Sequence, residues 1–166
     1  MHAKKGRILM LSILSLMILG FIMFFLLHQN FHIHTLFTDS NSKILSPVNK
    51  KNCTEYITSL NSTLLGCNVN ERTPIKSPVN GEIDGLLYGR DSLGIQIVKM
   101  NGDSMLIFVS SNNGEFICQK NEIVKKGQII GYTGRDNFGL LSLKGVGITM
   151  QKADGSQISL SLSDFK

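Results

Sequence analysis

An uncharged, apolar run near the N-terminus constrains this chain more than any other feature. Residues 8–27 consist of Ile, Leu, Met and Phe, interrupted only by Ser12, Ser15 and Gly20. An α-helix of this length rises about 30 Å, which matches the hydrocarbon core of a bilayer. The run therefore predicts one transmembrane helix.

Charges flanking the run predict its orientation. Lys4, Lys5 and Arg7 precede it, whereas the uncharged His28, Gln29 and Asn30 follow it. Because positive flanks stay in the cytoplasm, residues 1–7 form a cytoplasmic stub and the rest of the chain lies in the periplasm or outside the cell. A cleaved signal peptide is the alternative, but it has a shorter apolar core and small residues at the cleavage point.

The basic character of the chain comes largely from this anchor region. The whole sequence of 166 residues has 17 basic and 12 acidic side chains, but only 14 basic ones remain after the stub. The exported part is thus nearly neutral, and the pI of about 9.2 does not indicate nucleic-acid binding. The length suits one domain in addition to the anchor.

Three cysteines agree with export to an oxidising compartment. Cys53 and Cys67 bracket 13 residues, a reasonable loop for a disulfide. Cys118 follows Phe116 and Ile117, so we expect a buried, inert thiol. The sequence has no Cys-x-x-Cys spacing, so the cysteines do not indicate a zinc site.

Residues 28–73 are polar and predict a stalk that contains one short helix. Asn52 could open the helix, Ile57, Leu60 and Leu64 would share one face, and Gly66 could end it. His32 and His34, near the start of the stalk, are interpreted as a polar flank at the membrane interface, because a site needs further ligands.

Residues 74–166 predict a β domain of short strands. Residues 94–100 and 104–110 form strands around Asn101-Gly102, a strong hairpin signal. Further strands are expected at 115–118, 128–133, 146–152 and 157–162, with 134–137 as a loop. The predicted fold is all-β, a sandwich or barrel.

Two segments resemble a barrel-sandwich hybrid domain. Ser77-Pro78-Val79-Asn80-Gly81-Glu82-Ile83 resembles its opening strand, and Val124-Lys125-Lys126-Gly127-Gln128-Ile129-Ile130-Gly131 resembles its second hallmark turn. Both occur in lipoyl and biotinyl domains, in secretion adaptors and in zinc endopeptidases of the lysostaphin (LytM-like) family. The order of the intervening motifs resembles the last of these.

The positions that match the zinc ligands and catalytic histidines of that family differ here. Ser110 stands where the Tyr-x-His strand has His, Gly147 and Thr149 stand where His-x-His has both histidines, and Gln151 ends the same strand. No His follows His34. Hydroxyls are poor zinc ligands and Gly provides none, so the resemblance implies a retained fold without metal, cofactor or hydrolysis.

The implied function is binding or scaffolding in the cell envelope. A cleft walled by Ser110, Gly147, Thr149 and Gln151 would bind a partner protein or peptidoglycan without cutting it. The alternatives are an active peptidase that uses Asp91, Asp136 or Cys118 as ligands, and a small subunit of a secretion system. A more remote one is a viral or eukaryotic membrane protein glycosylated at Asn52 and Asn61.

Overall fold

Antiparallel β-strands dominate the structure, a computed structural model that describes residues 43–57, 63–139 and 142–166. The strands are β1 (Cys53–Ile57), β2 (Thr63–Cys67), β3 (Pro74–Lys76), β4 (Gly81–Tyr88), β5 (Ser92–Val98), β6 (Ser104–Ser110), β7 (Glu115–Phe116), β8 (Ile123–Val124), β9 (Ile129–Tyr132), β10 (Asn137–Phe138), β11 (Leu143–Lys144), β12 (Val146–Gln151) and β13 (Gln157–Ile158). Short 3-10 helices span Lys50–Asn52 and Leu162–Asp164. The all-β prediction is confirmed for these residues.

The strands form one large sheet, one small sheet and a separate hairpin. The large sheet has eight strands in the order β1-β2-β12-β6-β5-β4-β8, and β13 pairs with β12. The small sheet has the order β3-β9-β7, and β10 pairs with β11. Every strand pair is antiparallel.

Side chains that alternate along the central strands build the core. Val146, Ile148 and Met150 of β12 are buried, and Ile148 lies opposite Ile107 of β6. Ile75 of the small sheet belongs to the same buried cluster. Because successive strand residues point to opposite faces, residues 147, 149 and 151 lie on the outer face of the large sheet.

The predicted stalk helix is wrong, since residues 53–57 and 63–67 form the hairpin strands β1 and β2. Leu65 and Cys67 are buried at a spacing of two, and β2 also pairs with β12. Pairing with a central strand therefore outweighs the helical spacing of Ile57, Leu60 and Leu64, of which Leu60 lies outside the described residues. The large sheet begins before Pro74.

Several predicted turns and strands are confirmed. Strand β6 has the expected bounds, and Gly102 has a φ of +83° in the turn that precedes it. The last predicted strand is shorter, because Gln157–Ile158 is followed by a non-strand segment and then a 3-10 helix. The predicted loop at 134–137 is present at residues 134–136, and Asn137 begins the hairpin β10–β11.

The predicted membrane helix at residues 8–27 lies outside the described residues, as do His32 and His34. Among the helices that are described, none has the length and apolar character needed to span a bilayer.

The predicted disulfide is present between Cys53 and Cys67. These residues are directly opposite one another in the β1–β2 hairpin, with 3.9 Å between their Cα atoms. The bond joins the outermost strand of the large sheet to its neighbour, and β2 in turn pairs with β12.

Replacing both bridged cysteines by serine should lower the free energy of unfolding by about 3 kcal/mol, because the bond restricts a short loop in the unfolded chain. Urea unfolding of the full chain in detergent measures this. Reductant should destabilise the natural protein and leave the double variant unchanged. Equal stability of both proteins without reductant would contradict the prediction.

Candidate functional site

The outer face of β12 carries three of the four predicted cleft residues. Gly147 lies opposite Phe108, Thr149 opposite Leu106, and Gln151 opposite Ser104. Gly147 is buried, whereas Thr149 and Gln151 are half-buried. The strand alternation therefore brings these residues to one face, but their role in binding stays a prediction.

Ser110, the fourth predicted cleft residue, ends β6 on the same face. Its side chain is 2% exposed, and its Oγ accepts a hydrogen bond from the backbone N–H of Asn112 at 3.2 Å. Ser92 of β5 lies opposite it. The hydroxyl thus fixes the turn after β6.

The hairpin β10–β11 covers the outer face at Gly147. A Cβ at position 147 would lie 3.1 Å from Leu143 Cδ1 and 3.7 Å from the Phe138 ring. Leu143 is 8% exposed and Phe138 is 3% exposed, so both side chains are buried between the hairpin and the sheet. The β10–β11 hairpin therefore covers the outer face at the centre of the predicted cleft.

Hydrogen bonds hold this hairpin in place. Asp91 Oδ2 accepts from the backbone N–H of Gly139 at 3.1 Å, and Asn137 Nδ2 donates to Ser142 Oγ at 3.2 Å. Gly139 and Ser142 have φ angles of 68° and 50°. The turn chemistry of the hairpin therefore fits its close approach to β12.

The residues present do not fit a zinc ion. Ser110 is buried and bonded to the backbone, Gly147 has no side chain, and Leu143 and Phe138 occupy the space beside it. A zinc site needs three protein ligands of nitrogen, sulfur or carboxylate type. Such a set is absent from Ser110, Gly147 and Thr149, the positions that match the histidines of the family.

The atypical ligands considered for an active peptidase have other partners. Asp91 holds Gly139, Asp136 accepts a hydrogen bond from Asn112 Nδ2, and Cys118 is buried beside Glu122. No group of three or more His, Cys, Asp or Glu side chains able to hold a metal occurs within residues 43–57, 63–139 and 142–166. The predicted burial of Cys118 is confirmed.

A groove of about 270 Å³ lies between the β1–β2 and β10–β11 hairpins. Its floor is Gly66, where a Cβ would lie 2.7 Å from both Leu143 Cδ2 and the Tyr56 ring. Exposed amide, hydroxyl and ammonium groups surround this floor. The lining residues are Asn52, Thr54, Tyr56, Gly66, Asn68, Asn137, Ser142, Leu143 and Lys144.

Sequence reasoning missed this groove and the hairpin that closes the cleft. The strand pairs of β10–β11 are only two residues long, which is too short for an alternation pattern. The signal present was Gly139 between Phe138 and the apolar pair Leu140-Leu141, and it gives no information about which face the hairpin covers.

Comparisons with solved structures identify the fold. No protein-family model and no curated protein matches the sequence. A chain of the SpoIIQ–SpoIIIAH pore-forming complex has a TM-score of 0.59 at 14% identity, covering 76% of this chain and 93% of that chain.

Two peptidases have the same fold. A putative M23 peptidase from Pseudomonas aeruginosa has a TM-score of 0.52 at 19% identity, covering 72% of this chain and 49% of that one. Lysostaphin from Staphylococcus simulans has a TM-score of 0.50 at 18% identity, covering 75% and 51%. The protein spans about half the length of these peptidases, and the lysostaphin-like fold predicted from the sequence is confirmed.

Substituting Gly147→His should lower the free energy of unfolding by about 1–3 kcal/mol, because the imidazole must displace Leu143 or Phe138. Combining it with Leu143→Ala should cost less than the sum of the two single changes, since the alanine vacates the space. Urea unfolding of all three variants measures the coupling. Thr149→His, on the same face but half-buried, is the matched control and should cost less. Strict additivity would contradict the closed geometry.

The Cys118 thiol should make stability depend on alkaline pH. Burial, with the nearby Glu122 carboxylate, raises the pKa of the thiol from 9.0 to about 11. The unfolded chain loses this proton at lower pH than the folded chain, so the stabilisation is complete below pH 9 and is lost as the pH rises to about 11. Urea unfolding across this range should show a steeper decline for the natural protein than for Cys118→Ala. Parallel curves would refute the assignment.

Proposed function

We propose that this protein is a membrane-anchored, extracytoplasmic subunit that has a peptidase fold but no peptidase activity, and that binds a partner protein in a cell-envelope complex. The protein acts by presenting a rigid binding surface and catalyses no reaction. The partner protein binds that surface, and the anchor keeps the β domain beside the membrane.

The closure of the outer face at Gly147 carries this proposal. In a lysostaphin-like fold the corresponding strand has histidines at two positions, but here Leu143 and Phe138 pack where a side chain at the first of them, position 147, would project. A peptidase would need both ligands and an open face for its substrate. A fold that lacks both is suited to binding.

The likeness to a chain of a pore-forming complex supports an assembly role. That likeness covers 93% of the other chain, whereas the two peptidases are covered over only about half of theirs. At 14% identity it establishes the fold alone. The role in an assembly is therefore our proposal for this chain.

Two features of the sequence support the location. The apolar run at residues 8–27 is long enough to span a bilayer, and the basic residues before it favour a cytoplasmic N-terminus. The Cys53–Cys67 disulfide on the other side fits an oxidising compartment.

The groove between the β1–β2 and β10–β11 hairpins is the surface we assign to the partner. Tyr56 provides an aromatic side chain that is 37% exposed, a residue type enriched among the energetically dominant positions of interfaces. Asn68 and Lys144 are exposed at its edges, where polar groups give an interface its specificity.

Extraction of the full chain from its native membranes in mild detergent tests this assignment. We expect a native mass larger than one chain and a stoichiometric partner protein. Lys144→Glu should reduce retention of that partner by about ten-fold, since it inverts a charge at the edge of the groove. Lys152→Glu, the same change on the distant β12–β13 turn, is the control. A monomeric extract, or equal loss in both variants, would refute the proposal.

A further inference from the structure

A set of lysines surrounds the point at which the chain enters the β domain. The entry segment, residues 43–51, carries Lys43, Lys50 and Lys51. Lys43 and Lys51 are exposed, and Lys50 is half-buried because its Nζ donates to the Phe165 carbonyl at 2.6 Å. Three positive charges thus lie within nine residues of chain.

Backbone hydrogen bonds fix the entry segment against two other parts of the domain. The Ile44 N–H donates to the Asp164 carbonyl, and the Leu45 N–H donates to the Pro78 carbonyl, each at 3.0 Å. Ile44 also forms a parallel bridge with Phe165, which is 2% exposed. The segment is therefore held on the domain and does not extend away from it.

Three more lysines are brought to the same surface. The Lys76 N–H donates to the Pro47 carbonyl at 2.9 Å, and Lys126 Nζ donates to the Lys43 carbonyl at 2.7 Å. Lys125 precedes Lys126 and is exposed, as is Lys76. We name the six residues Lys43, Lys50, Lys51, Lys76, Lys125 and Lys126 the entry patch.

The entry patch makes the charge distribution of the domain uneven. It contains six of the 14 basic side chains among the described residues, whereas the remainder of those residues has eight basic and eleven acidic ones. Two acidic residues border the patch. The Asp164 carboxylate accepts from the Ser161 N–H at 2.8 Å, and Glu122 Oε1 accepts from Nε2 of Gln128, in the turn that contains Lys125, at 3.4 Å. One end of the domain is therefore strongly positive although the whole is nearly neutral.

We propose that the entry patch docks the β domain on an anionic lipid surface. The inference rests on the membrane anchor of the proposed function, because only 15 residues separate the apolar run from Lys43. Lysines close to an anionic bilayer strengthen association by about five-fold each. Asn52, which lines the groove, directly follows Lys51, so docking in this way would hold the groove beside the membrane surface.

Hydrogen–deuterium exchange of the full chain in nanodiscs tests the proposal. One set of discs contains phosphatidylcholine alone, and the other contains phosphatidylcholine mixed with phosphatidylglycerol. We expect slower exchange at residues 43–51 and 125–128 in the anionic discs only, with no change at the β12–β13 turn. Added salt should remove the difference, because it screens exposed charges.

Charge-neutral variants identify the residues responsible. The triple variant Lys43→Gln, Lys51→Gln and Lys125→Gln should lower the ratio of docked to undocked domain by about a hundred-fold in anionic discs. The control is Arg90→Gln, Lys120→Gln and Lys152→Gln, which removes the same charge from exposed positions elsewhere. It should retain the slow exchange.

The possible failures are distinguishable. If the chain does not float with the discs, the anchor is absent and this inference falls with it. If the chain floats with both discs but exchange is the same in both, only the lipid docking is refuted. Equal protection in uncharged discs that carry a co-purified acidic protein would assign the patch to that protein and also refute docking.

Discussion

The contact of Leu143 and Phe138 with Gly147 decides what the outer face of the large sheet can do. Glycine at position 147 leaves no side chain at that point of the outer face, so a short hairpin can pack directly on the strand. The inner face of the same strand contributes Val146, Ile148 and Met150 to the core. One strand therefore contributes to the core on one side and contacts the covering β10–β11 hairpin on the other.

The β1–β2 hairpin lies beside the covered part of β12 in the same sheet. Because β2 pairs with β12, the hairpin extends the large sheet, and the disulfide fixes the pairing of its two strands. Gly66 on β2 then leaves a groove between Tyr56 and Leu143. The covered outer face and the polar groove are both consequences of the same two hairpins.

The sequence predicted the parts of the fold that depend on local signals. The Asn101-Gly102 turn and the strand of residues 104–110 have strong turn chemistry and a continuous apolar pattern, and the structure has both. The stalk helix was wrong because β2 pairs both with β1 and with β12, and β12 lies far away in the chain. The likeness to lysostaphin depended on the order of several motifs, and the comparisons confirm it.

The candidate site could be placed only in part. Strand alternation is a local rule, and along the strand predicted at residues 146–152 it places residues 147, 149 and 151 on one face. The covering of Gly147 depends on a hairpin whose strands are two residues long, and no sequence pattern fixes where such an element packs. Only the packing distinguishes an open outer face from a covered one.

The metal content of the purified protein tests most directly whether the covered outer face can hold a zinc ion. The full chain is purified from membranes of cells supplied with zinc. Native mass spectrometry and elemental analysis then give the number of zinc ions per chain. A closed, ligand-free face predicts much less than one zinc per chain. One zinc per chain, retained through purification, would contradict it.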